Sequence, residues 1–435
     1  MSPALSPSAI LTIAFVTALL AGTLLRHWLA TRQIRHVVRH RDAVPAAFAT
    51  SIPLTAHQRA ADYTVAKTRL VILELALGTG VTVVWTLLGG LQALNSATLS
   101  WLGAGMLQQI ALLVGFVLIG SLIDLPMSWY QTFVLEERFG FNKMTPRLWV
   151  TDLLKSAFLG ALIGLPLAWL ILWLMGAAGT LWWLWAWATW MGFNLLLLLI
   201  YPSFIAPLFN KFQPLQDEAL RARVNALMER CGFSAQGLYV MDGSRRSAHA
   251  NAYFTGFGAA KRVVFYDTLL ARLTGEEVDA VLAHELGHFR HRHVIKRMVS
   301  LFAMSLAGFA LLGWLSGQAW FYTALGVMPS MAPGASNDAL ALLLFLLVVP
   351  AFSFLVGPLF TRLSRAHEFE ADAFAVHQTS ARDLSTALLK LYEDNASTLT
   401  PDPLYAQFHY SHPPALERLA RMQQPVNGKD SPCPA

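Results

Sequence analysis

Residues 281–289 read Val281-Leu-Ala-His-Glu-Leu-Gly-His-Phe289 and contain the pattern H-E-x-x-H. On a helix, positions i and i+4 lie one above the other, so the imidazoles of His284 and His288 can bind one metal ion. Glu285 follows the first ligand and is positioned to act as a general base. Zinc suits such a site because it tolerates an open coordination position and acidifies water toward neutrality. We therefore expect one zinc ion per chain.

The flanking sequence supports a helix that carries these residues. Thr274-Gly-Glu-Glu277 predicts a capping box at the start of the helix. Upstream, Arg262-Val-Val-Phe-Tyr266 is rich in β-branched and aromatic residues, which is typical of a strand. A strand, a turn and a capped helix with two histidines indicate a metalloprotease.

Two further histidines follow the motif. His291 lies one turn beyond His288 on nearly the same face, so spacing alone does not exclude it as a ligand. His291 and His293 alternate with Arg290 and Arg292, however, and we predict a solvated helix end for both histidines.

The composition indicates a membrane protein. Hydrophobic residues make up 55% of the 435 residues and charged residues only 13%, which is unusual for a soluble chain. Cys231 and Cys433 are the only cysteines, which excludes a disulfide framework or a cysteine-based zinc site and agrees with a reducing compartment. Apolar runs of membrane-spanning length predict seven spans: Ala9–Leu25, Leu70–Leu91, Leu102–Ile123, Leu153–Met175, Leu181–Tyr201, Met298–Leu315 and Ala339–Phe360.

The distribution of positive charge predicts the orientation. All 32 Lys and Arg residues lie in four segments, which are 26–69, 138–155, 211–297 and 362–429. No Lys or Arg occurs in the N-terminal tail or in the connections near 92–101, 176–180 and 316–338. Seven crossings therefore put the four positively charged segments on one side of the membrane and these uncharged segments on the other. The positive-inside rule then predicts an external N-terminus and a cytoplasmic metal motif. This topology explains the net charge of +6 better than nucleic-acid binding does.

A catalytic zinc site needs a third protein ligand. The segment Ser364-Arg-Ala-His-Glu-Phe-Glu-Ala-Asp372 supplies candidates just after the seventh span. A single helix face can present Glu368 and Asp372, the first as a ligand and the second as the acceptor of a hydrogen bond from a ligand histidine. Spacing alone does not exclude His367 or Glu370 as the ligand.

Several stretches resemble the type 1 CAAX prenyl proteases, which are integral-membrane zinc metallopeptidases that process prenylated proteins. The similarity runs from about the second span to Arg421. Besides H-E-L-G-H and the Glu368 segment, its motifs are Ser128-Trp-Tyr-Gln-Thr-Phe-Val-Leu-Glu-Glu-Arg-Phe-Gly-Phe-Asn-Lys143, Tyr201-Pro-Ser-Phe-Ile-Ala-Pro-Leu-Phe-Asn-Lys-Phe212, Asp242-Gly-Ser-Arg-Arg-Ser-Ala-His-Ala-Asn-Ala-Tyr-Phe254 and His409-Tyr-Ser-His-Pro-Pro414.

The resemblance implies roles for particular residues. Glu368 matches the family's third zinc ligand and Asp372 its supporting carboxylate. Asn251 and Ala252 match the edge strand that pairs with an extended peptide substrate. His412 matches a histidine that helps to hold the scissile carbonyl, although a structural histidine before a Pro-Pro turn is the alternative.

The sequence leaves two roles open for Arg418: it could contact a substrate's terminal carboxylate, or it could form an ordinary salt bridge. The resemblance also implies a wide water-filled chamber enclosed by the seven helices.

The predicted fold is mainly α, a seven-helix membrane bundle with a cytoplasmic zincin-like domain that contains a small β-sheet. Residues 1–206 hold spans one to five and residues 207–297 the H-E-x-x-H part. Residues 298–361 hold spans six and seven, and residues 362–435 supply the third ligand and a disordered tail, 427–435. The expected partners are a peptide or lipidated-protein substrate and membrane lipid, with a monomer as the functional unit. Composition favours a bacterial inner membrane, or the endoplasmic reticulum if the source is eukaryotic.

The predicted activity is zinc-dependent hydrolysis of peptide bonds near the C terminus of prenylated substrates. A heat-shock type of membrane quality-control metalloprotease shares the chemistry and is the alternative. A site-2 type of intramembrane protease has its motif within a span, whereas here the motif runs into a basic segment. A transporter or pseudoenzyme would fit seven spans, but the presence of Glu285 argues against a pseudoenzyme.

Overall fold

A computed structural model describes residues 5–233, 237–255, 262–330 and 336–423. The predicted disordered tail, 427–435, lies outside these residues. The chain is mainly helical. Its helices are α1 Pro7–Arg39, α2 Leu54–Trp85, α3 Gly90–Leu102, α4 Met106–Tyr130, α5 Pro146–Ala177, α6 Trp182–Ile200, α7 Ala206–Phe209, α8 Glu218–Arg230, α9 Asp267–Leu270, α10 Gly275–Arg290, α11 His293–Leu315, α12 Ala319–Thr323, α13 Asp338–Ser353, α14 Gly357–Gln378, α15 Ala381–Asp394, α16 Pro403–His409 and α17 Ala415–Met422.

Seven helical segments of the described chain are long and apolar enough to cross a membrane. Each overlaps one of the predicted spans, which confirms their number and order. The segments are α1, α2, α4 with the π-helical turn after it, α5, α6 with its flanking turns and α7, α11, and α13 joined to α14.

Helices α1 and α2 extend past the predicted spans into polar sequence. Helix α1 continues beyond Leu25 to Arg39, and α2 begins at Leu54 rather than at Leu70. Hydropathy identifies only the apolar part of a helix. The helical hydrogen bonds of α1 and α2 continue into polar sequence beyond that part. The extension of α1 then contacts the C-terminal region, because Arg32 Nε donates to both carboxylate oxygens of Asp402 at 2.9 and 3.0 Å.

The seventh span carries directly into the candidate ligand segment. Helix α13 ends at Ser353, a short 3-10 turn follows at Phe354–Val356, and α14 runs on to Gln378. Glu368 therefore lies on the continuation of a membrane helix.

A four-stranded mixed sheet lies beside the metal motif. Its strands are β1 Phe212–Pro214, β2 Gly237–Met241, β3 Ala252–Thr255 and β4 Arg262–Tyr266, in the spatial order β1-β2-β4-β3. Strands β2 and β4 are parallel and the two outer pairs are antiparallel. The strand predicted at 262–266 is confirmed. Val263 and Phe265 are fully buried in a core that includes Leu282 and Leu286 of α10, so the sheet supports the helix that carries the motif.

Helix α10 begins with the predicted capping box. The Thr274 side chain accepts from the Glu277 backbone N–H, and the Glu277 carboxylate accepts from the Thr274 N–H at 2.8 Å. Toward its other end, α10 packs closely on α14. A Cβ on Gly287 would lie 2.9 Å from the Cα of Ala371, so only glycine permits this approach. The close approach brings the two ligand-bearing helices within reach of one metal ion.

Internal space lies between the membrane helices. Glu74 of α2 and Asp124 of α4 line a cavity of about 350 Å³. A single wide chamber stays a prediction from the resemblance.

Candidate active site

Helices α10 and α14 bring three potential metal ligands together. The Nε2 atoms of His284 and His288 are 3.3 Å apart. Glu368 Oε2 lies 3.5 Å from His284 Nε2, and Glu368 Oε1 lies 3.4 Å from His288 Nε2. His284 and Glu368 are buried, with 8% and 5% of their surfaces exposed.

The three side chains surround a position that suits one metal ion, because one ligand atom from each lies within 4.8 Å of the other two. Two imidazoles with a carboxylate are a known catalytic zinc set. Glu368 Oε2 is buried and has no hydrogen-bond partner among the described residues. Burial of an unpaired carboxylate oxygen is unfavourable in free energy, and a bound cation would provide the missing partner. Spacing left His367 and Glu370 open as ligands, but within the described chain only Glu368 completes a cluster with the two histidines.

Asp372 orients the first ligand. Its Oδ1 atom is 2.9 Å from His284 Nδ1, which leaves Nε2 of that ring directed toward the other ligands. Arg418 holds Asp372 in turn, with Nε and Nη2 donating to its two oxygens at 2.8 and 2.5 Å. Arg418 is 5% exposed and its charge is neutralised by Asp372. This geometry favours the salt-bridge interpretation. Arg418 also lines the cavity beside the ligand cluster, so its contact with a substrate carboxylate stays a prediction.

The second ligand has a longer chain of partners. His288 Nδ1 lies 3.0 Å from His293 Nδ1, and His293 Nε2 lies 2.8 Å from Glu370 Oε2. The prediction that His293 belongs to a solvated helix end is therefore wrong, because only 4% of its surface is exposed. Packing of α14 against α10 and α11 buries it despite its basic neighbours. His291 is half-buried and stacks on the His293 ring at 5.5 Å between centroids.

Glu285 and His412 flank the ligand cluster. Both line a cavity of about 870 Å³ that also contains His284 and Glu368. His412 Nε2 is 3.5 Å from Glu368 Oε1, and 64% of its side chain is exposed. Burial raises the pKa of Glu285, which makes its carboxylate a stronger base than an exposed one.

Asn251 and Ala252 line the same cavity at the edge of the sheet. The Tyr266 N–H donates to the Asn251 carbonyl at 3.1 Å, and Ala252 pairs with Phe265 in the antiparallel register. Because hydrogen-bonding direction alternates along an antiparallel strand, the Ala252 N–H points away from β4. It donates instead to the Asn251 side chain at 2.8 Å. The strand therefore presents a backbone donor on its outer side.

A neighbouring side chain holds this strand in place. Asn395 of the loop after α15 accepts from the Ala250 N–H at 3.0 Å and donates to the Ala250 carbonyl at 3.3 Å. No sequence pattern pointed to Asn395, and the patterns around Glu370 and His293 indicated only a possible metal ligand and a solvated helix end. The only signal for His293 was its position five residues after His288.

The two ligand histidines have opposite pKa shifts. Burial alone would lower the pKa of His284, but the carboxylates of Asp372 and Glu368, which lie 2.9 and 3.5 Å from its ring nitrogens, outweigh it and raise the pKa to about 9. Burial lowers the pKa of His288 to about 4, with a further contribution from the charge on His284. The raised pKa of His284 shows that the two carboxylates around it favour a positive charge at this position.

Breaking the buried pair of Arg418 and Asp372 tests its structural role. Arg418→Met leaves an uncompensated buried carboxylate, so we expect the free energy of unfolding to fall by about 3–5 kcal/mol. Chemical denaturation in detergent would measure the loss. Arg421→Met is the matched control, because Arg421 lies on the same helix but is exposed and stacks on the Phe369 ring at 3.8 Å. A cation on an aromatic ring at an exposed site contributes only about 0.5–1 kcal/mol. Equal losses in the two variants would contradict the assignment.

The fold and the ligand cluster define an integral-membrane metallopeptidase with H-E-x-x-H and a distant glutamate. Residues 33–211 match the family model of the CAAX prenyl protease N-terminal region with five membrane helices, and residues 214–426 match that of peptidase family M48. The chain belongs to the CAAX prenyl protease 1 family of M48 peptidases.

Relatives and a solved structure agree with this assignment. The chain is 38% identical to CAAX prenyl protease 1 homolog of Arabidopsis thaliana over 75% of this chain and 74% of the relative. It is 37% identical to CAAX prenyl protease 1 of Saccharomyces cerevisiae, over 70% and 69%. The crystal structure of S. mikatae Ste24p superposes with a TM-score of 0.89 at 29% identity, over 97% of this chain and 100% of that one. The alternative of a heat-shock type of protease is not favoured.

Proposed function

We propose that this protein is a zinc metalloendopeptidase that cleaves peptide bonds near the C terminus of prenylated proteins. The observation that carries the proposal is the cluster of His284, His288 and Glu368, of which His284 and Glu368 line a cavity that an edge strand also lines. The relatives' name, CAAX prenyl protease, supports a prenylated substrate.

The chemistry is divided among a few residues. When bound, the zinc ion acts as a Lewis acid that acidifies water and polarises the scissile carbonyl. Glu285 accepts a proton from the attacking water and later returns it to the leaving amine. His412 donates a hydrogen bond to the developing oxyanion. Asp372 keeps His284 in the tautomer that binds metal.

The edge strand orients the peptide. An extended substrate adds to β3 and uses the outward N–H of Ala252, with the Asn251 side chain moving aside. Backbone pairing of this kind tolerates many substrate side chains. Specificity for a C-terminal prenyl group then depends on the anchor, which lies among the membrane helices.

The topology and domain division complete the proposal. Residues 207–297 and 362–435 act as two parts of one catalytic unit, joined to the bundle of residues 1–206 and 298–361. Their Lys and Arg content supports a cytoplasmic location and an external N-terminus, in a bacterial inner membrane or the endoplasmic reticulum. The chain acts as a monomer within lipid, because one chain supplies every ligand.

Two matched peptides test the proposed activity. Purified protein is incubated with a farnesylated C-a-a-X peptide and with the same peptide without its lipid, and mass spectrometry locates any cut. We expect cleavage after the modified cysteine, preference for the lipidated peptide, and loss of activity with a zinc chelator. Cleavage of neither peptide, or chelator-resistant cleavage, would overturn the proposal.

Zinc uptake is expected to release at least one proton near pH 7.5, from His284, with a further fraction from the water that zinc acidifies. The pKa of His284 is about 9 in the metal-free site, and a zinc ligand must be deprotonated. Apparent zinc affinity therefore rises with pH until about pH 9. Calorimetric titration in two buffers with different ionisation enthalpies measures the proton count, and a heat of binding that is independent of the buffer would contradict it.

A further inference from the structure

In both ligand histidines, the ring nitrogen Nδ1 contacts another side chain, but the two side chains differ. Asp372 contacts His284 directly, as described above. His288 instead reaches a carboxylate through a second imidazole, in the order His288, His293, Glu370, with separations of 3.0 and 2.8 Å. We call these three residues the histidine relay.

Hydrogen-bond chemistry gives the relay a direction. An ionised Glu370 can only accept, so Nε2 of a neutral His293 carries the proton and donates to it. The Nδ1 atom of His293 then has a free lone pair and accepts from Nδ1 of His288. With its proton on Nδ1, His288 has an unprotonated Nε2, which is the atom that faces Glu368 and His284. The relay thus selects the metal-binding tautomer of His288.

The surrounding structure holds the central ring in place. His293 is the first residue of α11, and Arg292 before it adopts a left-handed conformation with φ of 56°. The His293 ring stacks on that of His367 at 4.0 Å between centroids and an angle of 13°. A buried ring at the start of a membrane helix cannot rotate freely, so the relay also connects the sixth span to the metal site.

We propose that His293 and Glu370 are positioning residues that raise the affinity for zinc by fixing the tautomer and orientation of His288. The inference rests on the proposed zinc-dependent function and deepens it. Neither residue is among those that line the cavity beside the ligand cluster. Loss of an outer hydrogen-bond partner of a ligand typically weakens metal binding about 10–100-fold.

Chelator competition measures the dissociation constant of zinc for the purified full chain. His293→Phe keeps an aromatic ring in the stack but removes both nitrogens, and we expect zinc affinity to fall about 10–100-fold. Glu370→Ala removes only the end of the relay, and we expect a smaller loss. His291→Phe is the matched control, since His291 stacks on the same ring without bonding to His288, and its affinity should stay within about twofold of wild type.

A double variant distinguishes the relay from general packing. Because both residues act through one chain of hydrogen bonds, His293→Phe with Glu370→Ala is expected to bind zinc no more weakly than His293→Phe alone. Additive losses, or wild-type affinity in His293→Phe, would overturn the inference. If His293→Phe does not fold, Glu370→Ala decides the question, because the Glu370 side chain is 47% exposed and its loss leaves packing intact. A wild-type protein that binds no zinc would instead overturn the proposed function.

Discussion

Replacing Glu285 with glutamine is expected to lower peptide hydrolysis by about 10²–10⁴-fold while one zinc ion per chain stays bound. Glutamine keeps the shape of the side chain but cannot accept the proton. Glu285 is not one of the clustered ligands, and the carboxylate lines the cavity beside them. Initial rates on a farnesylated peptide, with metal analysis of the same sample, measure both parts of the result.

Glu276→Gln is the matched control for this variant. Glu276 lies on the same helix, but its side chain is 57% exposed and pairs with Arg223 away from the ligands. Hydrolysis in this control is expected to equal that of wild type. Undiminished turnover in Glu285→Gln would refute its role as the general base.

Replacing Glu368 with alanine is expected to weaken zinc binding by more than the ~10–100-fold that loss of a supporting hydrogen bond causes. The variant removes one of three protein ligands and leaves the imidazoles of His284 and His288 without their carboxylate partner. Hydrolysis should fall in parallel and recover only in part at high zinc concentration. Chelator competition and peptide cleavage measure the two effects.

His367→Phe serves as the control, because His367 is adjacent in sequence but lies outside the ligand cluster, and a phenyl ring keeps the stack on His293. It is expected to retain zinc within a few fold of wild type. The opposite outcome, zinc lost in His367→Phe and kept in Glu368→Ala, would identify a different third ligand.

Local patterns predicted the parts of the molecule that local interactions determine. The capping box at Thr274, the strand at 262–266 and the number of membrane spans follow from short windows of sequence. The i and i+4 spacing of His284 and His288 likewise needs only one helix. The strand that contains Ala252 also lies at an edge of the sheet, as the resemblance implied.

Contacts between distant segments could not be predicted in this way. His293 lies among basic residues, and only the docking of α14 onto α10, which Gly287 permits, brings it to Glu370. Arg418 lies far along the chain from Asp372, so spacing gave equal support to a salt bridge and to a substrate contact. The packing of helices decides which polar residues become buried. Helix packing leaves no periodic pattern in a single sequence, so these residues could not be identified from it.

X-ray absorption at the zinc edge of the purified protein measures the ligands of the proposed metal site. We expect one zinc ion per chain, with nitrogen and oxygen ligands at ~2.0–2.2 Å, outer-shell scattering from two imidazoles, and no sulfur ligand. The imidazole signal should decrease in a variant that lacks His284 or His288. A chain that binds no zinc, or an ion bound through sulfur or without two imidazoles, would contradict a zinc site formed by His284, His288 and Glu368.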